Sequence, residues 1–172
     1  AHDELHPDGG RRPERERGRG DHHAPRRHGR HLGRGLRRRR HRCARRPDRL
    51  EELKAGLVQR YPNITVAVAE LDVNDHEQVP VVFAALAEQL GGLDRVIVNA
   101  GVGKGAPLGS GKLWANKATL ETNLVAALVQ IETALEVFKR QGHGHLVLIS
   151  SVLGNRGVAG VKAAYAASKA GV

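Results

Sequence analysis

Apolar and polar positions alternate along this chain with two periods, and the change between them marks its elements. After Pro47-Asp48, Leu50, Leu53, Leu57 and Val58 recur at helical spacing with proline in the first turn, which predicts a helix to about Tyr61. Pro62-Asn63 ends it. Ile64–Leu71 (ITVAVAEL) is rich in β-branched residues and predicts a buried strand. Asp75 then caps a helix carrying Val79, Val82, Phe83, Leu86 and Leu90, closed by Gly91-Gly92. Arg95–Asn99 (RVIVN) is a short apolar strand stopping at Ala100-Gly101. A long helix follows from about Trp114 to Gln141, striped by Leu120, Leu124, Leu128, Ile131, Leu135 and Phe138, with Gly142 after it. His145–Ser150 (HLVLIS) is a further strand, and a helix begins near Tyr165.

Continuous apolar strands alternating with helices predict an α/β fold, a doubly wound parallel sheet covered on both faces. In such sheets ligands lie beyond the carboxyl ends of the strands. That places Asp72, Asn99 and Ser150-Ser151 first among candidate functional residues.

The first 46 residues break the pattern. They contain no Val, Ile, Thr, Ser, Phe, Tyr or Trp, and their 16 Arg against 6 acids account for the whole net charge of +10. Residues 47–172 are neutral. The high isoelectric point therefore describes one segment, and the rest has no basic field to attract nucleic acid or a membrane. Such a composition cannot bury enough apolar area to offset chain entropy, so residues 1–42 are expected to be a disordered segment beside a domain at 43–172. Seven of the ten His fall in the first 46 residues without ligand spacing, and no metal site is expected. The lone Cys43 excludes an intrachain disulfide. No apolar run reaches the roughly 18 residues of a membrane span, and no signal-peptide core is present, so the expectation is a cytoplasmic chain that does not enter a membrane.

Tyr165 and Lys169 stand four apart on the last predicted helix, which stacks them on one face. A phenol titrates near 10, too high for easy proton exchange at neutral pH, and a neighbouring ammonium favours the phenolate. The pair is thus a candidate acid or base; it is also what an ordinary helix surface could show. Together with the strand-end strings LDV (71–73), NAG (99–101) and ISS (149–151), with Asn123 in ETNLVAAL and with YAASK (165–169), it makes the chain resemble the short-chain dehydrogenase/reductase family from about Cys43 to Val172.

The resemblance implies a Rossmann-like doubly wound fold and an NAD(P)-dependent oxidoreductase acting on a small-molecule carbonyl or secondary alcohol. Tyr165 would exchange the substrate proton, Lys169 would lower its pKa and hold the nicotinamide ribose, and Ser151 would hold the substrate oxygen. Asn123 would hold a water in the proton relay. Asp72 and Val73 would meet the adenine, and Asn99, Ala100 and Gly101 would pass under the adenine ribose. Read without the family, Ser151 is a cap, Asn123 a helix irregularity, Asp72 a turn residue and Gly101 a loop hinge. Cys43-Ala44-Arg45-Arg46 resembles the end of the family's second strand. Arg45 suits a ribose 2′-phosphate, which favours NADP(H) over NAD(H), although it also ends an arginine run. Complete family members form homo-oligomers through the helices containing Asn123 and Tyr165; for this chain the state stays open.

Three departures accompany the resemblance. Gly29, Gly33 and Gly35 have the GxxxGxG spacing of the phosphate loop, but no apolar strand precedes them and too few residues separate Gly35 from Arg45 for a helix and a strand. They are read as a chance match. If Ala24–Arg27 were encoded GCG CCT CGT CGG after a G, a reading one base earlier would give Gly-Ala-Ser-Ser, as in the family's TGASSGIG loop, so residues 1–42 read as a frame-shifted segment. The interval from Ser151 to Tyr165 is one residue longer than usual, which keeps Ser150 as an alternative, and the family continues past Lys169 through strands that complete the pocket. The chain as given is therefore expected to be an inactive fragment. The competing expectation is a non-catalytic protein whose arginine-rich arm binds nucleic acid.

Overall fold

A computed structural model describes residues 38–103, 105–157 and 162–172. The chain runs β1 (Arg38–Ala44), α1 (Pro47–Arg60), β2 (Ile64–Glu70), α2 (Gln78–Leu90), β3 (Arg95–Val98), α3 (Leu113–Leu120), a π turn (Glu121–Val125), α4 (Ala126–Gln141), β4 (His145–Leu148), a 3₁₀ turn (Val152–Gly154) and α5 (Ala163–Gly171). Strands and helices alternate, as the sequence pattern predicts.

All strand pairing is parallel. β1 lies beside β2 from Arg38↔Ile64 to Ala44↔Glu70, and β3 lies beside β4 from Arg95↔His145 to Val98↔Leu148. The described strands form two pairs, as an incomplete doubly wound sheet does. The doubly wound order explains the division. In the order 3-2-1-4-5, β1 and β2 take places two and three and β3 and β4 take places four and five, so the pairs join only through a strand in place one. No described residue occupies that place.

β1 begins at Arg38, five residues before the domain start expected at residue 43. Arg38–Arg42 belong to the ladder with β2. Backbone pairing needs no apolar side chains, and Arg39, Arg40 and Arg42 keep theirs exposed. Arg39 also gains a partner: its Nη1 donates to the carbonyl of Leu90 at 2.6 Å, one of the orphan acceptors at the end of α2. The glycine spacing at 29–35, the possible frame shift and the proposed nucleic-acid arm up to residue 37 lie outside the described residues.

The core sits where α2 and α4 pack over β3 and β4. Leu71, Val79, Phe83, Leu93, Ala134, Val137 and Phe138 are buried together, with Val96 and Leu146 of the strands against them. The long helix predicted from Trp114 to Gln141 is divided: within the π turn the N–H of Ala126 reaches back five residues to the carbonyl of Glu121. Gly142 ends α4 in the left-handed conformation, with φ 78°. Gln141 ties that end to β3, its Nε2 donating to the Leu93 carbonyl at 2.6 Å and its Oε1 accepting from the Leu93 N–H at 3.1 Å.

Candidate functional site

The carboxyl ends of β3 and β4, the π turn and α5 meet around the short segment 101–103. Gly101 has Asn123 and Lys169 directly behind it: a methyl group there would lie 3.2 Å from Asn123 Oδ1 and 3.6 Å from Lys169 Nζ. The backbone can approach these groups so closely because position 101 has no side chain.

Asn123 is 1% exposed and spends its amide entirely on protein. Oδ1 accepts from the Val102 N–H at 2.7 Å, while Nδ2 donates to the Val102 carbonyl at 2.9 Å and to Ser168 Oγ at 3.1 Å. The sequence suggested either a relay residue or a helix irregularity. Asn123 is indeed at an irregularity, the π turn, a form that often marks functional positions. Its side chain fixes the segment after Gly101 and links it to α5.

On α5 the Tyr165 and Lys169 positions fall four apart as expected. Lys169 is buried, and its ammonium donates to the carbonyl of Ile149, at the end of β4, at 2.7 Å. Burying an ammonium is costly unless donors are matched, and this contact supplies one match while leaving two N–H groups. The Tyr165 ring is half-buried and meets a different cation, Lys162, whose Nζ is 5.7 Å from the ring centroid.

The two serines divide. Ser150 Oγ donates to the backbone carbonyl of Lys169 at 2.6 Å, which commits its hydroxyl proton to α5. Ser151 caps the 3₁₀ turn, accepting from the Leu153 N–H at 3.3 Å, and its own hydroxyl proton stays available.

Residues at the other strand ends lie farther along. Asp72 Oδ1 accepts from the Asn74 N–H at 3.0 Å, the turn role open to it from sequence, and its second oxygen can still accept. Val73 packs against the core. Asn99 is exposed and Ala100 half-buried beyond β3. Arg45 is exposed beyond β1. Cys43, two residues before it, is exposed as well. These are donors and acceptors that the ends of a dinucleotide could use. A glycine-rich turn opening a helix, which would hold the pyrophosphate, is not among the described residues.

Sequence reasoning missed three contributors. Asn116 reads both backbone groups of Ala106, accepting at 3.0 Å and donating at 3.2 Å, as Asn123 reads Val102. The seven-residue interval between these asparagines, two turns on one inward face, was the available signal. Ser168, fully buried, donates to the Tyr165 carbonyl at 2.7 Å and lies inside the YAASK string. Lys162 gave no sequence signal.

Comparison with known proteins agrees with this arrangement. The family model described as short chain dehydrogenase matches residues 36–172. An uncharacterized oxidoreductase of Mycobacterium tuberculosis is 79% identical over 130 residues, covering 76% of this chain and 51% of that protein. The crystal structure of levodione reductase superposes with a TM-score of 0.71 at 30% identity, over 76% of this chain and 51% of that one. A crystal structure of actinorhodin polyketide ketoreductase with NADPH gives a TM-score of 0.69 at 27% identity, over 76% and 50%. The chain thus spans about half the length of the curated relatives it matches. With its fold, its strand-end residues and this match in agreement, the chain belongs to the short-chain dehydrogenase family of oxidoreductases.

Proposed function

We propose that the site of this chain is built to move a proton and a hydride between NADP(H) and a carbonyl or secondary alcohol on a small molecule. The observation that carries the reading is the meeting of Gly101, Asn123 and Lys169 within a few ångströms at the end of the β3–β4 pair, with Tyr165 on the same helix as Lys169. The bound nicotinamide would supply or accept the hydride. Tyr165 would give its phenolic proton to the carbonyl oxygen, or take the alcohol's proton in reverse. Lys169 has donors left for the ribose hydroxyls, and Ser151 has its hydroxyl proton for the substrate oxygen. Asn123 keeps the floor of the site rigid. Asp72 and Val73 at the far end would receive the adenine and Arg45 would pair with a 2′-phosphate, while Asn99, Ala100 and Gly101, nearer to Lys169, would pass under the adenine ribose.

The preference for NADP(H) rests on Arg45, exposed at the end of β1 and bound to no described side chain. Residues 1–42 are read as translation in a shifted frame: the match to the mycobacterial relative covers 130 residues, 76% of this chain, and the arginine-rich composition is confined to its beginning. Val125, Leu128 and Leu135 leave an apolar row exposed on the helix after α3, which supports a homo-oligomer for the complete protein. No described helix is long and apolar enough to cross a membrane, in keeping with a cytoplasmic enzyme.

The test uses a chain completed to the length of its relatives. NADPH should bind more tightly than NADH by tenfold or more, a margin that Arg45→Glu reverses. Equal affinity for the two cofactors in the native protein would refute the 2′-phosphate assignment, and failure to bind either would refute the site.

A further inference from the structure

We propose that Lys162 is a positioning residue for Tyr165, holding the phenol ring and the segment after β3 in one frame. The inference rests on the reading of Tyr165 given above and adds a residue that neither the motif strings nor the strand ends mark.

Lys162 immediately precedes α5, with φ −99° and ψ 0°, at the place of its N-cap. Its ammonium has two attachments. Nζ donates to the carbonyl of Gly103 at 3.2 Å, and the same atom lies 5.7 Å from the centroid of the Tyr165 ring, within the range of a cation–π contact. The spacing from 162 to 165 is one helical turn, which brings the two side chains to the same side of the helix start.

The consequence follows from what else holds the segment. Lys169 lies behind Gly101, Asn123 takes both backbone groups of Val102, and Lys162 takes the carbonyl of Gly103. Two successive residues, Val102 and Gly103, are therefore fastened by two side chains, one from the π turn and one from the start of the last helix. The first fastener, Asn123, belongs to the predicted site. The second, Lys162, also touches the phenol ring, so displacement of the segment and displacement of the ring are coupled through one ammonium. A proton donor must sit within a few tenths of an ångström of its place to act efficiently, and a ring with free rotation about its side-chain bonds needs such a restraint. Arginine can make both contacts; methionine, of similar length, can make neither.

Tyr61 and Tyr165 are the two tyrosines of the chain, so ring-labelled tyrosine gives two sets of ring resonances and Tyr61→Phe identifies that of Tyr165. The native chain should show a nuclear Overhauser contact between the Lys162 ε-methylene and the Tyr165 ring. Lys162→Met should displace the Tyr165 ring and Gly103 amide resonances and leave Tyr61 in place, and Lys162→Arg should return both toward their native positions. A general loss of structure would instead move Tyr61 as well and would not be rescued by arginine. Absence of the Overhauser contact, or an unmoved Tyr165 ring in folded Lys162→Met, overturns the proposal; the native-chain measurement decides it even if that variant does not fold. NADPH titration of the completed chain is read separately, so that loss of binding strikes the oxidoreductase reading while the ring contact reports on Lys162 alone.

Discussion

A methyl group at position 101 has nowhere to go without moving Asn123. The clash would be modest, at 3.2 Å from Oδ1, but that oxygen is held by the Val102 N–H and the amide is sealed from solvent. Gly101→Ala should therefore cost about 1–2 kcal/mol. Asn123→Ala should cost more, about 2–4 kcal/mol, because it strands both backbone groups of Val102 and removes a partner of Ser168. Urea unfolding of the two variants checks both the magnitudes and their order. A second residue-scale expectation concerns His41, in the middle of β1. Both ring nitrogens are buried without a hydrogen-bond partner, and desolvation lowers its pKa from the ordinary 6.5. The unfolded chain then binds a proton at a pH where the folded chain does not, so stability falls as pH drops below about 6.5 toward the lowered folded value. His41→Leu should flatten that part of the curve. Unfolding free energies of native and variant between pH 7.5 and 5 would show it as a variant-minus-native difference that rises toward acid; a constant difference would refute the assignment.

Among the elements, the return from α4 into β4 depends on a glycine for a reason other than backbone freedom. A Cβ on Gly144 would overlap the Phe138 ring, which is buried in the core with Val137 and Leu93. Gly144→Ala should lower stability by about 1–3 kcal/mol, or roughly 3–10 °C in Tm. Adding Phe138→Leu should recover part of the loss, since the variants share one space and their costs should not add. Thermal unfolding of the two single variants and the double variant tests the coupling. This contact was not legible in the sequence, because ring and glycine are brought together by the chain reversal at Gly142. What was legible at this scale depended on periodicity. The apolar runs of β2, β3 and β4 report the strands directly, and the structure follows them within a residue or two; the stripe predicted for the long helix does not mark its buried face, since Leu128 and Leu135 are exposed while Ala126, Ala127, Thr133, Ala134 and Val137 are buried. β1 was hidden because its side chains are arginines in water and only its backbone is shared with β2. The π turn was hidden because a five-residue loop of hydrogen bonding leaves the apolar stripe almost unbroken. Within the site, Tyr165, Lys169 and Asn123 carried a signal through spacing and strings. Lys162 acts through a backbone carbonyl of a distant segment, and such a partner leaves no mark in local sequence.

For the molecule as a whole, the decisive feature is the division into two parallel pairs. Parallel ladders persist when both faces and both edges are covered, and here β1 and β3 each present one edge that no described strand pairs. Arg45, Asp72 and Val73, assigned to the 2′-phosphate and the adenine, lie beyond β1 and β2, whereas Asn99, Ala100 and Gly101, assigned to the adenine ribose, and Ser151, assigned to the substrate, lie beyond β3 and β4. A dinucleotide must reach from one set to the other, and in the doubly wound order the intervening place belongs to a strand whose following turn holds the pyrophosphate. Cofactor affinity is thus expected to depend on that strand more than on any single side chain in either half. The 172-residue chain should show no saturable NADPH binding up to about 1 mM, the weak end of the usual range for enzyme substrates. The same residues 43–172, placed behind an apolar strand with a TGxxxGxG turn and helix and continued to the relatives' length, should bind in the micromolar range. NADPH fluorescence titration of both proteins makes the comparison. Micromolar binding by the shorter chain would mean that its two pairs already hold the dinucleotide and that the central strand is dispensable, while weak binding by the longer one would place the fault in the residues assigned to the site.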